Sequence, residues 1–227
     1  MVYKRIGMVW LTVVAVTCLF AAPASAERFA DLYIGISLAQ DEDLKVSSGG
    51  VDRETEVSFD AGGTIGYRIG YFFPKAPAVA VALEGSYMGL KYGDDAEISM
   101  FALSPLVMAR LNLKKSDVYP NGEWMPFVAA GPGFFLSKIS YETSGSPVSE
   151  VIGSNVSGTY EDDRLDVGLD LRAGVKKMVA PKWAVNFEYR FVGWLSPKYE
   201  DNVLGNNVDT EIDLNIHNIL IGVTYNF

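Results

Sequence analysis

Ten charged residues recur where the chain alternates bulky and small side chains, and they are the first candidates for chemistry. All of them share the small-residue parity of their segments, and their signs balance. Balanced charges on one face of a strand can pair with one another in a water-poor interior. The acidic members are Asp60, Glu84, Asp166, Asp170 and Glu188, and the basic members are Arg68, Arg110, Arg172, Lys176 and Arg190.

His217 is the only histidine and the only ready candidate for a general base. Asp213 and Asn215 precede it, but no His-x-Ser arrangement follows. The strand alternation slips between Ile216 and Ile219, so the preferred interpretation is a histidine at a bulge or a membrane interface. A lipid hydrolase centred on His217 is the alternative.

Three acidic clusters lie in polar connections of the chain. Their spacing matches no calcium-binding loop, so solvated surface charge is preferred over cations that bridge to lipid phosphates. We therefore expect no metal and no cofactor. The net charge of −9 makes nucleic acid a poor partner. The clusters are Asp41-Glu42-Asp43, Glu161-Asp162-Asp163 and Glu200-Asp201.

The first 26 residues have the pattern of a signal peptide. Lys4-Arg5 is followed by an apolar stretch over residues 6–22, and Ala24-Ser25-Ala26 supplies the small residues of a cleavage site. We expect cleavage before Glu27 and a single domain over residues 27–227; an uncleaved membrane anchor is the alternative. Cys18 lies in the removed part, so the exported domain folds without a disulfide.

Period-two alternation dominates the rest of the chain and predicts strands throughout. Short connections alternate imperfectly with long polar ones, which is the layout of an outer-membrane barrel. The sequence therefore predicts an all-β fold, an eight-stranded antiparallel up-and-down transmembrane β-barrel. The predicted strands cover residues 30–39, 58–71, 78–90, 97–111, 126–138, 164–177, 183–195 and 212–227.

The bulky face of the strands is predicted to point outward into lipid. It carries no charge, and a charged residue at the bilayer midplane costs about 2–4 kcal/mol. A small barrel also has little room for a full set of large side chains, so small residues and ion pairs are expected inside. The outward set includes Leu32, Ile34, Ile36, Leu83, Leu103, Val107, Phe187 and Tyr189.

Charge pairing predicts a register for the inner face. A hairpin turn centred at Ala180 sets opposite charges against each other, whereas a shift of two residues sets like charges together. The lumen is then a plug of ion pairs instead of an open channel. The expected pairs are Arg172 with Glu188, Asp170 with Arg190, and Arg68 with Glu84.

The sequence resembles the small eight-stranded outer-membrane barrels, of the OmpA-type transmembrane domain and especially the opacity-porin-like group. Four stretches carry the resemblance: LEGSY at 83–87, PFVAAGPG at 126–133, FEYRF at 187–191 and GVTYNF at 222–227. The last stretch looks like the sorting signal that the barrel-assembly machinery reads, with Val223, Tyr225 and Phe227 as its recognised side chains.

We therefore expect a monomer in the cell outer membrane, in contact with membrane lipid and lipopolysaccharide. The expected role is structural or surface interaction through long external loops, without enzymatic activity. A narrow porin-like passage for small or hydrophobic molecules is one alternative, and the hydrolase centred on His217 is the other.

Overall fold

The computed structural model describes residues 27–40, 42–48, 51–57, 60–92, 96–141, 160–194, 198–203, 206–211 and 215–227. The expected signal peptide and Ala26 lie outside these ranges. Glu27 is the first residue of the first strand.

No helix in the described part of the chain is long and apolar enough to cross a membrane.

Eight strands close into an antiparallel barrel, as the alternation predicts. Their order around the wall is β1, β12, β9, β8, β7, β6, β5, β4, so the first and last strands close the ring. The barrel strands are β1 (Glu27–Ala39), β4 (Asp60–Phe73), β5 (Ala76–Tyr92), β6 (Ala96–Arg110), β7 (Trp124–Tyr141), β8 (Tyr160–Ala180), β9 (Trp183–Trp194) and β12 (Asn215–Asn226).

Two long polar connections, predicted to be loops, contain strands. They contain β2 (Glu42–Ser48), β3 (Val51–Val57), β10 (Lys198–Val203) and β11 (Asn206–Glu211), which pair in the order β10, β11, β2, β3. These strands are too polar to be predicted from alternation, because a strand outside a membrane does not need an apolar face.

Each strand of the extra sheet lies next in sequence to the long-loop end of a barrel strand. Glu27 pairs with Phe72, and fifteen residues further along each arm Glu42 pairs with Val57 in the same register. The pairs β1–β4 and β2–β3 therefore share one register. β11 pairs with β2 as β12 pairs with β1, with the register offset by one residue.

The outer wall is apolar along its height. Ile34, Val107 and Phe187 have exposed fractions of 59%, 59% and 57%, and their parity is the one that the sequence predicts to face lipid. Leu83 and Leu103 share this parity but are only 4% and 2% exposed.

Residues 111–123, between β6 and β7, fold across the mouth at the short-turn end. The carbonyl of Glu123 accepts a 2.8 Å hydrogen bond from the Met178 amide, and Tyr119 packs on Met125 and Met178. Gly122 has a φ of 99°, which favours glycine because it has no Cβ. A cavity of about 200 Å³ lies under this segment, bordered also by Glu27 and Phe227.

Candidate functional site: a lumen of buried ion pairs

The structure places nine of the ten predicted inner charges inside the barrel. Each of the nine is at most 9% exposed: Arg68, Glu84, Arg110, Asp166, Asp170, Arg172, Lys176, Glu188 and Arg190. The tenth, Asp60, begins β4 and is exposed. The pairing of β4 with β5 shifts its register between Asp60 and Gly63, so parity no longer assigns Asp60 to the lumen.

Glu188 on β9 joins two arginines at mid-height in the lumen. Its carboxylate accepts hydrogen bonds from Arg68 Nη1 at 3.2 Å and Nη2 at 2.8 Å, and from Arg172 Nη1 at 2.7 Å. Arg172 also donates to Glu84, and Arg68 Nη1 lies 3.8 Å from the Glu84 carboxylate. Arg68 and Glu84 are direct cross-strand neighbours, as predicted.

Asp170 is the second centre of the network. It accepts from Arg172 Nε at 2.9 Å, from Arg190 Nη2 at 2.8 Å and from the Ser104 hydroxyl at 2.8 Å. Arg190 donates to the Ser86 hydroxyl at 2.8 Å. The carboxylate is thus surrounded by donors on several sides, which a buried anion requires.

Asp31 on β1 extends the network toward the short-turn end. Arg68 Nε donates to it at 2.7 Å, and the Lys176 ammonium donates at 2.8 and 3.0 Å. Lys176 Nζ also lies 4.4 Å from the centre of the Phe29 ring. Asp31 is not among the predicted inner charges, although its parity, opposite to that of the outward residue Leu32, indicates the inner face.

The predicted hairpin register between β8 and β9 is wrong by two residues. Arg172 lies opposite Arg190, and Glu188 lies opposite Gly174, because the turn is centred at Pro181 and includes a bulge between Met178 and Ala180. The two arginines tolerate this arrangement because Asp170 bonds to both of them and Arg172 reaches Glu188 diagonally. The expected ion pairs therefore form, but not directly across the ladder.

The central network is electrically neutral. Asp31, Glu84, Asp170 and Glu188 supply four negative charges, and Arg68, Arg172, Lys176 and Arg190 supply four positive ones, all within hydrogen-bonded contacts. Their mutual attraction offsets the cost of removing these ions from water.

Apolar layers lie on both sides of the charged layer, contrary to the expectation that small residues would fill the space. Toward the short turns pack Phe29, Phe72, Ala80, Ala82, Leu106, Met108, Phe127 and Ala129. Toward the long loops pack Met88, Leu90, Met100, Ala102, Phe135, Val192 and Ile216. Large side chains fit because the glycines and alanines on neighbouring strands leave room for them.

Arg110 lies at the edge of the apolar layer on the short-turn side. Its guanidinium lies 3.5 Å from the centre of the Phe72 ring and donates to both oxygens of Glu27, at 2.9 Å for one of them. The space that remains beside Arg110, Lys176 and Phe127 is only about 10 Å³. One water needs at least about 10–15 Å³, so this space holds at most about one water.

A smaller cluster of uncharged polar side chains lies on the long-loop side of the ion pairs. Ser37 bonds to Asn218 Oδ1 at 2.7 Å and to the Thr64 hydroxyl, which itself donates to Asn218 at 3.0 Å. All three side chains are buried. They tie β1, β4 and β12 together at the seam where the barrel closes.

His217 lies on the outer wall, and no bulge surrounds it. The pairing of β12 with β9 runs without a shift from Asn215 to Tyr225, so Ile216 points inward and His217 outward. His217 Nδ1 is hydrogen-bonded to the Tyr189 hydroxyl at 2.6 Å, and its ring centre is 5.3 Å from that of Phe191. The predicted slip of the alternation is wrong, and a place at a membrane interface stays a prediction. The hydrogen-bonded neighbour of this histidine is a tyrosine, not a serine.

The residues of the expected sorting signal line the outer wall beside β1. Val223 and Phe227 are 44% and 66% exposed, and the Tyr225 ring lies 5.1 Å from Phe227 and 4.9 Å from Trp183. The Phe227 amide donates to the Arg28 carbonyl at 2.9 Å. Their role in assembly stays a prediction.

Among the side chains that the structure describes, no group of three or more His, Cys, Asp or Glu residues is placed to hold a metal ion.

The sequence matches the family model described as the outer membrane protein beta-barrel domain over residues 11–227. The chain belongs to this family. It is an outer-membrane β-barrel, and its place is the cell outer membrane. Comparison with curated proteins yields no match.

Solved structures of outer-membrane barrels share the fold. OprG from Pseudomonas aeruginosa is 16% identical, with a TM-score of 0.61 over 89% of this chain and 97% of its own. The outer membrane protein AlkL, solved in DMPC lipid bilayers, is 14% identical, with a TM-score of 0.54 over 91% of this chain and 92% of its own. At such identities the similarity concerns the fold alone.

Proposed function

We propose that this barrel has a structural or surface-interaction role and that it neither conducts nor catalyses. The observation that supports this is the filling of the lumen: a neutral layer of ion pairs lies between two apolar layers. A barrel with such an interior presents to its surroundings only its outer wall and its two ends. The strands β2, β3, β10 and β11 lie next in sequence to the long-loop end, and their sheet is the surface best placed to meet partners outside the cell.

Lipid and lipopolysaccharide are the proposed partners of the wall, and the barrel-assembly machinery is the proposed reader of Val223, Tyr225 and Phe227. We propose a monomer, because the closed ring of strands has no free edge within the membrane. The hydrolase alternative has no support in the surroundings of His217, whose hydrogen-bonded neighbour is Tyr189.

Conductance in a planar bilayer tests the closed lumen. The purified, folded barrel should give no steady current steps, whereas an open porin inserted under the same conditions should give them. Regular current steps from the wild-type barrel would favour the narrow passage and contradict the proposal. A gel comparing boiled with unboiled protein shows that the inserted sample was folded.

The surface role is tested by shortening the external sheet. Replacing residues 198–211 with a short Gly-Ser turn should leave the folded barrel in the membrane but reduce attachment of the cells to host-cell or abiotic surfaces. The matched control replaces the turn Pro74-Lys75 with Gly-Ser at the opposite end. Equal attachment by both variants and by the wild type would argue against a role for the sheet.

A further inference from the structure

Six basic residues surround the short-turn end of the barrel, and we call them the basic collar. Because the wall runs in the order β1, β12, β9, β8, β7, β6, β5, β4, the collar reaches all sides of the barrel. Its members are Arg28 in β1, Lys75 between β4 and β5, Lys114 and Lys115 between β6 and β7, Lys177 in β8, and Lys182 between β8 and β9.

Positive charge exceeds negative charge around this end. Lys75, Lys114, Lys115 and Lys182 are exposed. The described acidic side chains nearby are those of Asp117, Glu123 and Glu27, and Glu27 is already bonded to Arg110 inside the mouth. The excess positive charge therefore faces the surroundings of the barrel, in a protein whose overall net charge is −9.

Aromatic contacts set the height of the collar in the membrane. Lys177 Nζ lies 4.9 Å from the ring centre of Trp124, and Lys182 Nζ lies 5.8 Å from that of Tyr225. Tyr225 in turn packs on Trp183. Tyr and Trp rings lie at the level of the lipid headgroups, so these ammonium groups lie level with lipid phosphates.

The segments at the long-loop end carry more acidic than basic residues in the sequence. β3 contains Asp52, Glu54 and Glu56 against one arginine, and Glu161-Asp162-Asp163 follow the first residue of β8. Short turns of such barrels face the periplasm. The charge asymmetry thus distinguishes the periplasmic leaflet from the external one.

We propose that the basic collar binds the headgroups of anionic phospholipids in the periplasmic leaflet. Each nearby Lys or Arg makes the binding free energy of a net negative headgroup more favourable, whereas it changes that of a zwitterionic headgroup little. The inference requires only the barrel and its orientation, and it stands whether or not the external sheet has a partner.

Lipid association measured with spin-labelled lipids tests the collar. The folded barrel is placed in phosphatidylcholine bilayers, and the immobilised fraction of spin-labelled phosphatidylglycerol is compared with that of spin-labelled phosphatidylcholine. The wild type should prefer phosphatidylglycerol. At low salt, each charge removed in the variant Lys177→Gln/Lys182→Gln should reduce that preference about fivefold.

The control variant Lys45→Gln/Lys198→Gln removes the same charge from the external sheet and should keep the preference. Raising the salt concentration should weaken the wild-type preference, because screening shortens the range of exposed charges. A boiled-versus-unboiled gel verifies that each variant is folded. Equal association of both lipids with the wild type, or an equal loss in both variants, would overturn the proposal; neither result affects the conductance or attachment tests.

Discussion

Replacing Glu188 with Gln removes one negative charge from the neutral network without changing the shape of the side chain. In the wild type this carboxylate receives three hydrogen bonds, two from Arg68 and one from Arg172, at 2.7–3.2 Å. An amide accepts through its oxygen only, and its nitrogen would face a guanidinium donor. All the groups are essentially unexposed, so solvent does not screen the loss.

The expected effect is a fall of about 3–5 kcal/mol in the free energy of unfolding, as for other buried ion pairs that lose one partner. Equilibrium unfolding of the barrel in lipid vesicles, followed by tryptophan fluorescence, measures it. Asp117→Asn is the matched control, because it removes the same charge from an exposed loop position and should change the free energy by less than about 0.5 kcal/mol.

A double variant tests the cause. Lys176→Met restores neutrality in the Glu188→Gln background, so the two changes should be less harmful together than the sum of each alone. The reasoning is refuted if Glu188→Gln unfolds like the wild type. That result would mean that water replaces the lost partner and that the layer is not sealed.

Two further predictions concern the wall. Gly62→Ala should destabilise the barrel by about 1–3 kcal/mol, because its Cβ would overlap the Gly89 carbonyl, whereas the neighbouring Gly63→Ala meets nothing within 4 Å; equal unfolding of the two variants would contradict this packing. Phe227→Ala should lower the amount of barrel in the outer membrane of cells yet change unfolding by about 1 kcal/mol or less, since the ring is 66% exposed. An unchanged amount in the membrane would argue against the sorting signal.

Much of the wall was predictable because lipid imposes a strict rule. Outward positions such as Ile34 and Phe187 must be apolar, and the period of two then assigns their inward neighbours, with Asp60 as an exception. The same rule located Arg68 and Glu84 as a direct pair. The alternation could not fix the register of β8 and β9. A bulge near Met178 shifts the pairing, and no residue type at that place indicates the bulge.

The contents of the lumen were harder to predict. Large apolar side chains predict lipid contact, so the sequence does not predict inward residues such as Phe29, Met88 and Leu106. Parity alone placed them correctly: Phe29 has the parity of Asp31, and both lie inside. The external strands are not predicted for a related reason. Alternation of apolar and polar residues indicates a strand with one face in lipid, and a strand outside the membrane need not show it.

The equal number of cations and anions in the middle of the barrel has an electrical consequence. A Donnan potential across the outer membrane exerts force only on net charge or on a dipole that can turn. Here the opposing forces on the four positive and four negative groups cancel, and the hydrogen bonds hold each dipole in place. Changes in the ionic strength of the surroundings should therefore leave the inside of this protein unmoved, while its two ends respond.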